Sequence, residues 1–140
     1  MQVAFALFAD AANLSQEGKL NVLGVFDALQ VGAMPAVHPR AHLVVRLKGD
    51  ASDVGRHTVT LRWVNPQGNE LWNSTGDLNV GQPPAGVVEM DLPLIAQIDL
   101  PIDVAGAYRM TVSLDDRQNA EVVVQVRAVP AMRPQGGMFS

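Results

Sequence analysis

The stretch AYRMTVSLDDRQNAEVVVQVRA, residues 107–128, decides the fold. Apolar and polar residues alternate on both sides of the polar segment 115–119, and this period of two is that of a strand with one face buried. The side chains predicted to share the buried face are Tyr108, Met110, Val112 and Leu114 before the polar segment, and Ala120, Val122, Val124 and Val126 after it. The stretch therefore predicts a β-hairpin.

The same alternation marks further strands along the chain. It runs through 41–48 and 57–64, and no window of comparable length carries the apolar stripe of a helix. The predicted strands are residues 2–9, 20–31, 41–49, 57–65, 69–76, 86–92, 94–100, 107–115 and 119–128. About seven to nine short strands separated by turns are typical of an antiparallel β-sandwich, so the predicted fold class is all-β.

Proline and glycine separate these strands. In NPQG, Asn65–Gly68, Pro66 suits the second position of a turn and Gly68 suits a positive φ. The prolines of VGQPPAG (80–86) and PAVHP (35–39) cannot enter a central strand. We expect a surface crossing at the first segment, and at the second an unpaired link where the chain changes sheets.

The segment DVAGAY, residues 103–108, favours an immunoglobulin-like sandwich. With one additional residue, it resembles the tyrosine corner, in which a tyrosine hydroxyl bonds to the backbone a few residues upstream. Met110 stands where antibody domains place a cysteine, and Trp63 is a candidate for their central indole. We therefore predict an immunoglobulin-like antiparallel β-sandwich.

The length of the chain, 140 residues, fits one domain. We place that domain at residues 1–129. The tail PAMRPQGGMFS, 130–140, leaves the alternating pattern, and its two prolines and paired glycines predict a flexible segment.

Composition excludes several classes of protein. Ten Lys and Arg against 14 Asp and Glu give a formal net charge of −4 without a basic stripe, which argues against nucleic acid as a partner. The absence of cysteine removes disulfides and thiolate metal sites, and is compatible with a reducing compartment. The apolar run Val3–Ala9 has no Lys or Arg before it and ends at Asp10, so it predicts a strand rather than an export signal. No run is long enough to span a membrane, and we expect a cytoplasmic protein.

The sequence contains no arrangement typical of catalysis. A Gly-x-Ser-x-Gly motif is absent, and Gly18-Lys19 lacks the second glycine of a phosphate-binding loop. The remaining carboxylates are spread singly along strands and turns. We therefore expect a protein that is not an enzyme and binds no cofactor.

The histidines do not predict a metal site. His38 and His42 are four residues apart, but Pro39 and the alternating run after it indicate a strand rather than a helix. On a strand this spacing separates the side chains by roughly 13 Å, which is too far to share one ion.

The loop between the last two predicted strands offers oxygen ligands. Calcium needs six to eight oxygens and such a loop supplies some of them, although paired aspartates are also ordinary in hairpin turns. We leave calcium binding open as an alternative. The candidate ligands are Asp115, Asp116, Asn119 and Glu121.

The two tryptophans differ in their expected environments. Trp63 shares a strand face with Val59 and Leu61, so we expect it in the core. Trp72 follows the NPQGNE turn and could be exposed. An exposed indole would favour a carbohydrate- or small-ligand-binding module as the alternative function.

The N-terminal pair of strands is apolar on both faces. Between them, Asp10 and Gly18 stand where a single helical turn would have its acidic N-cap and its glycine stop. A strand that is apolar on both faces needs cover on both. We consider two covers, the long segment 76–106 of the same chain or another protein chain. The expected faces are Val3, Phe5 and Leu7 against Ala4, Ala6 and Phe8, and Leu20, Val22 and Phe26 against Leu23, Val25, Leu29 and Val31.

FADAANLSQEGKLNVLGVFDALQV, residues 8–31, resembles the opening of a family of small uncharacterised bacterial proteins. Those sequences have a strand, an acidic turn ending in Gly-Lys, and then an apolar strand of the form Leu-x-x-Leu-Gly-x-Phe-Asp. LPIDVAGAYRMTVSLDD, 100–116, also resembles the Pro-Gly-x-Tyr strand and acidic turn of the family, with Ala105 where proline or another turn former is common. The resemblance implies a sandwich fold and a bacterial origin, and it implies no active site.

These observations together predict a non-catalytic module for protein–protein interaction or structural assembly. Its partner would be another protein or a second copy of the chain. The residues predicted to form the contact surface are Phe5, Phe8, Leu23, Val25 and Phe26, with Met138 and Phe139 of the tail as a second candidate.

Overall fold

The computed structural model describes residues 1–129, which form a two-layer β-sandwich. A four-stranded sheet has the order β2-β1-β4-β7, and a five-stranded sheet has the order β3-β9-β8-β5-β6. Neighbouring strands are antiparallel except for β3 and β9, which are parallel. The strands are β1 (Gln2–Leu14), β2 (Leu20–Phe26), β3 (Ala28–Val31), β4 (Ala36–Gly49), β5 (Gly55–Val64), β6 (Glu70–Val80), β7 (Met90–Ile102), β8 (Gly106–Leu114) and β9 (Arg117–Ala128), with a short 3₁₀ helix at Ala51–Asp53. The prediction of an all-β fold is confirmed.

The core lies between the two sheets and is centred on aromatic side chains. Trp63 of β5 is fully buried and stacks on Tyr108 of β8, with ring centroids 5.0 Å apart. Phe8 of β1 meets the edge of the Trp63 ring at 5.8 Å. The inward face predicted for 107–128 is confirmed, because its alternating apolar residues belong to the core or pack against it. Burial of these large side chains is the main source of stability for the fold.

The tyrosine corner predicted from DVAGAY is present. The Tyr108 hydroxyl accepts the backbone N–H groups of Asp103 and Val104 at 3.0 Å each, and it lies 2.7 Å from the Val104 carbonyl oxygen. The predicted turn at Asn65–Gly68 is also confirmed, since Gly68 N–H donates to the Asn65 carbonyl and Gly68 has a φ of 86°. These turns fix the connections at one end of the sandwich.

The first strand is longer than predicted. β1 continues through Asp10 to Leu14, and the reversal occurs at Ser15–Lys19. The expectation of a helical turn capped by Asp10 is therefore wrong, because the backbone of 11–14 pairs with β2 instead. Gly18 does close the turn, with a φ of 81°.

The predicted strand 20–31 is two strands in different sheets. β2 ends at Phe26, and after Asp27 the chain enters the five-stranded sheet as β3. The return to the four-stranded sheet takes place at 32–35, which corrects the expectation of an unpaired link over 35–39. Residues 36–38 pair with β7, and Pro39 lies within an irregularity of this pairing between His38 and Ala41.

Two further expectations need correction. The predicted strands 86–92 and 94–100 form one strand, β7, which passes through Pro93 at the edge of its sheet. In β1, a register shift between Val3 and Phe5 turns Val3 toward the core, so Val3 does not share a face with Phe5. Alternation alone cannot reveal such a bulge.

Candidate protein-binding surface

The four-stranded sheet has a second apolar face, directed away from the core. Leu7 of β1 pairs with Val44 of β4, which pairs in turn with Ile95 of β7. Val44 and the neighbouring Ala9 lie outside the core cluster, yet each is fully buried. Another part of the chain therefore covers this outer face.

The cover is the hairpin made by the second half of β1 and by β2. Residues 17–20 of this hairpin line an open cavity of about 520 Å³ together with Phe5, Arg46 and Asp91 of the sheet. Because its turn reaches these residues, the hairpin folds back over the outer face. The segment 76–106 supplies the end of β6, the whole of β7 and the connection between them.

Two of the residues that line this cavity, Arg46 and Asp91, form an ion pair. The Arg46 guanidinium donates to both carboxylate oxygens of Asp91, with Nε–Oδ1 at 2.8 Å and Nη2–Oδ2 at 2.5 Å. This contact holds the pKa of Asp91 below its ordinary value. The pair belongs to the polar lining of the cavity, and Phe5, Leu20 and Val22 form its apolar lining.

The hairpin depends on a glycine at its centre. The pairs Ala9–Val25 and Ala11–Leu23 place Asp10 opposite Gly24, which has a φ of 70°. A Cβ atom at Gly24 would overlap the Asp10 carboxylate. Only glycine satisfies both the backbone conformation and the close approach.

The outer strand of the hairpin exposes apolar side chains. Leu23 is 71% exposed and Val25 is 61% exposed, and the two residues flank Gly24 in β2. No residue from Leu20 to Phe26 is charged, and within residues 1–129 β2 pairs only with β1. A free strand edge next to exposed apolar side chains is a ready template for association with another chain.

The residues predicted for the contact surface do not all lie there. Phe8 is 0% exposed, and Phe26 stacks on it with centroids 5.8 Å apart, so both belong to the interior. Phe5 lines the cavity beneath the hairpin. Leu23 and Val25 are exposed as expected, and the tail residues Met138 and Phe139 lie outside the described residues. Alternation misleads for Phe8 and Phe26 because it cannot tell which face of a two-sided strand meets the second sheet.

A second surface feature was not predicted from the sequence. The sandwich opens between the edge strands β6 and β7 into an apolar cleft of about 210 Å³. Leu43 and Leu94 line it from the four-stranded sheet, and Leu61 lines it from the five-stranded sheet. The sequence signal for this cleft is the pair Ser74 and Gly76, which are small residues at inward-facing positions of β6.

Trp72 lies on the same inward face of β6, opposite Trp63. Its indole is partly buried and packs against the core. It therefore does not offer the freely exposed ring that would stack on a sugar.

Charged groups are concentrated at one end of the sandwich, around His57. Its Nδ1 lies 2.5 Å from Asp115 Oδ2 and its Nε2 lies 2.6 Å from the Asp53 carbonyl oxygen. Both neighbours accept hydrogen bonds, so the ring donates from both nitrogens as an imidazolium. The bond to Asp115, followed by that to Asp53, raises the pKa of His57, and the bond from His57 lowers the pKa of Asp115.

The acidic loop after β8 uses its oxygens within the fold. Asp115 also accepts the Thr58 N–H at 2.9 Å, and the Asn119 side chain accepts the Leu114 N–H. Among residues 1–129, no group of three or more His, Asp or Glu side chains is placed to hold a metal ion. The same part of the chain contains no helix long and apolar enough to cross a membrane.

Comparison with known proteins gives a family but no activity. The model of a family of unknown function, DUF6941, matches residues 4–127. No curated protein matches the chain.

Proposed function

The chain belongs to the DUF6941 family of unknown function, and from its geometry we propose a non-catalytic module for protein–protein interaction or structural assembly. One observation carries the proposal. Leu23 and Val25 protrude from a charge-free edge strand, although the hairpin that bears them already covers the outer face of its own sheet. Exposed apolar side chains of this size on an open edge are the mark of a contact surface.

We also propose that the topology is immunoglobulin-like. The neighbours β9, β8 and β5 correspond to the G, F and C strands, with β6 next to C, and the facing sheet pairs β4 with β7 as B pairs with E. Trp63 on β5 and the tyrosine corner at the start of β8 support this correspondence. The β1–β2 hairpin is then an elaboration at the position of strand A, which makes it the distinctive part of the molecule.

The proposed location is the cytoplasm of a bacterium. The absence of cysteine from the chain supports a reducing compartment. The resemblance of residues 8–31 to small bacterial proteins supports the origin.

The test replaces the exposed apolar pair with charge. The double substitution Leu23→Lys/Val25→Lys is expected to fold normally, since both side chains are mostly exposed, and to lose binding. The matched control is Val88→Lys, which charges another highly exposed valine, 83% exposed, in the connection before β7. The measurement compares proteins retained from a lysate, and the mass in solution from light scattering, for the wild type and the two variants. Partners and mass that are unchanged in the doubly substituted chain would contradict the proposed surface.

A further inference from the structure

The two edge strands beside the cleft, β6 and β7, differ in their ability to accept another strand. β7 contains Pro93 and Pro101, and proline supplies no backbone N–H for pairing. β6, Glu70–Val80, contains no proline, and in the described part of the chain it pairs only with β5. Its outer edge therefore offers backbone groups along the whole strand.

The cleft beside β6 is unfilled because two small residues face it. Strand pairing puts Ser74 opposite Leu61 and Gly76 opposite Val59, at positions that face the other sheet. A Cβ atom at Gly76 would meet no atom within 4 Å. The resulting space of about 210 Å³ is larger than the roughly 150 Å³ apolar cavity that holds a benzene molecule, so it admits a leucine or valine side chain.

A free edge with an apolar recess beside it is the arrangement used in strand addition. In that mode backbone pairing supplies affinity, and recesses for alternate side chains supply specificity. The occupant must therefore be a strand with exposed apolar side chains at alternate positions and a free edge of its own.

Such a strand is present in this chain. β2 exposes Leu23 and Val25 at alternate positions, has a free edge and carries no charge. We propose that β2 of one copy lies along β6 of a second copy and inserts Leu23 or Val25 into the cleft lined by Leu43, Leu61 and Leu94. This inference rests on the proposed function, and it names the partner as a second copy joined head to tail.

Symmetric contacts satisfy the same groups less well. A β6–β6 pair would present Ser74 and Gly76 to each other and leave both clefts empty. A β2–β2 pair would bury Leu23 and Val25 but would also leave the clefts open. Only the unlike pairing places the exposed apolar side chains in the unfilled apolar space, and such a heterologous contact can add further copies.

The charged side chains near the two edges are already paired within the chain, Glu70 with Arg62, Asp77 with Arg56 and Lys19 with Glu17, so the contact depends on backbone pairing and apolar side chains. One strand buries a small interface, below about 1,200 Å², so we expect a weak complex that is seen only at high protein concentration.

The experiment separates the donor surface from the acceptor surface. Leu23→Lys/Val25→Lys removes both donor side chains and keeps the cleft, whereas Gly76→Val fills the cleft and keeps the donor. Gly76 has no positive φ and open space around it, so valine is expected to be accommodated. Ser74→Leu is a second cleft-filling variant, used in the same way.

The expected result is complementation. The wild-type chain should increase in mass with concentration in light scattering, and each variant alone should remain a monomer. An equimolar mixture of Leu23→Lys/Val25→Lys and Gly76→Val should form a 1:1 dimer that adds no further copy. Trp72, on the face of β6 that bears Ser74, should change its fluorescence on mixing, and Trp72→Phe in the acceptor should remove that change.

Three outcomes would overturn the inference. They are a wild-type chain that remains monomeric to about 1 mM, variants that associate as the wild type does, and a mixture that stays monomeric. If Gly76→Val still binds the proteins that Leu23→Lys/Val25→Lys loses, the proposed function stands and the second-copy inference fails. If both variants retain those proteins, the proposed function itself fails.

Discussion

The two ends of the sandwich are held together by different chemistry. At the Tyr108 end, formed by residues 65–69 and 101–108, most of the bonds join neutral groups. At the His57 end, formed by 50–58 and 114–117, they join charged groups. The loops at the two ends are therefore stabilised differently. The hydrogen bonds at the Tyr108 end are independent of pH near neutrality, and those at the His57 end depend on pH.

At the Tyr108 end, side chains complete the hydrogen bonds of the turns. Trp63 donates its indole N–H to the Pro101 carbonyl at 2.9 Å, and Asn65 accepts the Gln67 and Asn69 N–H groups at 3.0 and 2.8 Å. Asn65 is 2% exposed. Because these groups are shielded from water, each bond that is lost leaves a partner that water cannot readily satisfy.

At the His57 end, hydrogen bonds connect the imidazole ring of His57, the Asp115 carboxylate and the 3₁₀ turn. His57 connects the loop after β8, through Asp115, to the 3₁₀ turn, through the Asp53 carbonyl. The Asp53 carboxylate accepts the N-terminal ammonium of Met1 and the Asp50 N–H, which lowers its pKa. The stability that these bonds contribute therefore depends on the protonation of His57, Asp115 and Asp53.

The largest effect is expected from Asn65→Ala. The change removes two turn bonds and the bond that Asn65 donates to Asp103 at 2.9 Å. Since an unsatisfied buried group costs about 1–3 kcal/mol, we expect a loss of roughly 2–4 kcal/mol in the free energy of unfolding, measured by urea denaturation. A loss below about 0.5 kcal/mol would show that this turn does not need its side-chain bonds.

Tyr108→Phe should have the next largest effect. The ring stays in the core, but the Asp103 and Val104 N–H groups lose their acceptor, so we expect a loss of about 1–3 kcal/mol. Asp103 bonds to both Asn65 and Tyr108, so the double variant should lose less than the sum of the single losses. Strict additivity would mean that the two side chains act independently.

The smallest effect is expected from His57→Gln, and it should depend on pH. A raised pKa in the folded protein means that the His57 contribution is fully present below 6.5, its ordinary value, and declines as pH rises through the raised value. The contribution of Asp115 is present above 3.8 and declines as pH falls through its lowered pKa. The stability difference between the wild type and His57→Gln should thus be greatest near pH 5–6 and shrink above it.

Thermal unfolding across pH 4–9 measures this difference. The control is Asp116→Asn, which changes the neighbouring loop carboxylate; only Asp115 of the two bonds to His57. Asn65→Ala should keep a nearly constant deficit above pH 5, since its bonds are mostly between neutral groups. A His57→Gln deficit that is equally constant would remove the distinction between the two ends.

Prediction from the sequence was most accurate for strands with one solvent-exposed face and one buried face. Residues 107–128 and the strands at 41–49 and 57–65 have alternation that only one sheet orientation satisfies. The tyrosine corner was readable because Asp103 and Tyr108 lie five residues apart, so their contact is local. Local contacts leave a signal in a short window of sequence.

Prediction from the sequence was least accurate for strands that are apolar on both faces. The pattern of 20–31 gave no sign that the chain leaves one sheet after Phe26 and enters the other at Ala28. It also placed Phe8 on the surface, although Phe8 contacts Trp63, which is 55 positions later in the chain. The small residues Ser74 and Gly76 did not predict a cleft, because the cleft exists only where β6 faces the opposite sheet.

The sequence by itself determined an all-β chain, most of its turns, the inward face of the central strands and the presence of exposed apolar residues near 23–25. These features follow from the two-residue period of a strand and from the φ preferences of proline and glycine, which act over a few residues. Only the tertiary structure decided that the hairpin folds back over its own sheet and that the sandwich opens between β6 and β7. Those outcomes depend on how whole strands pack against each other, which no short window of sequence contains.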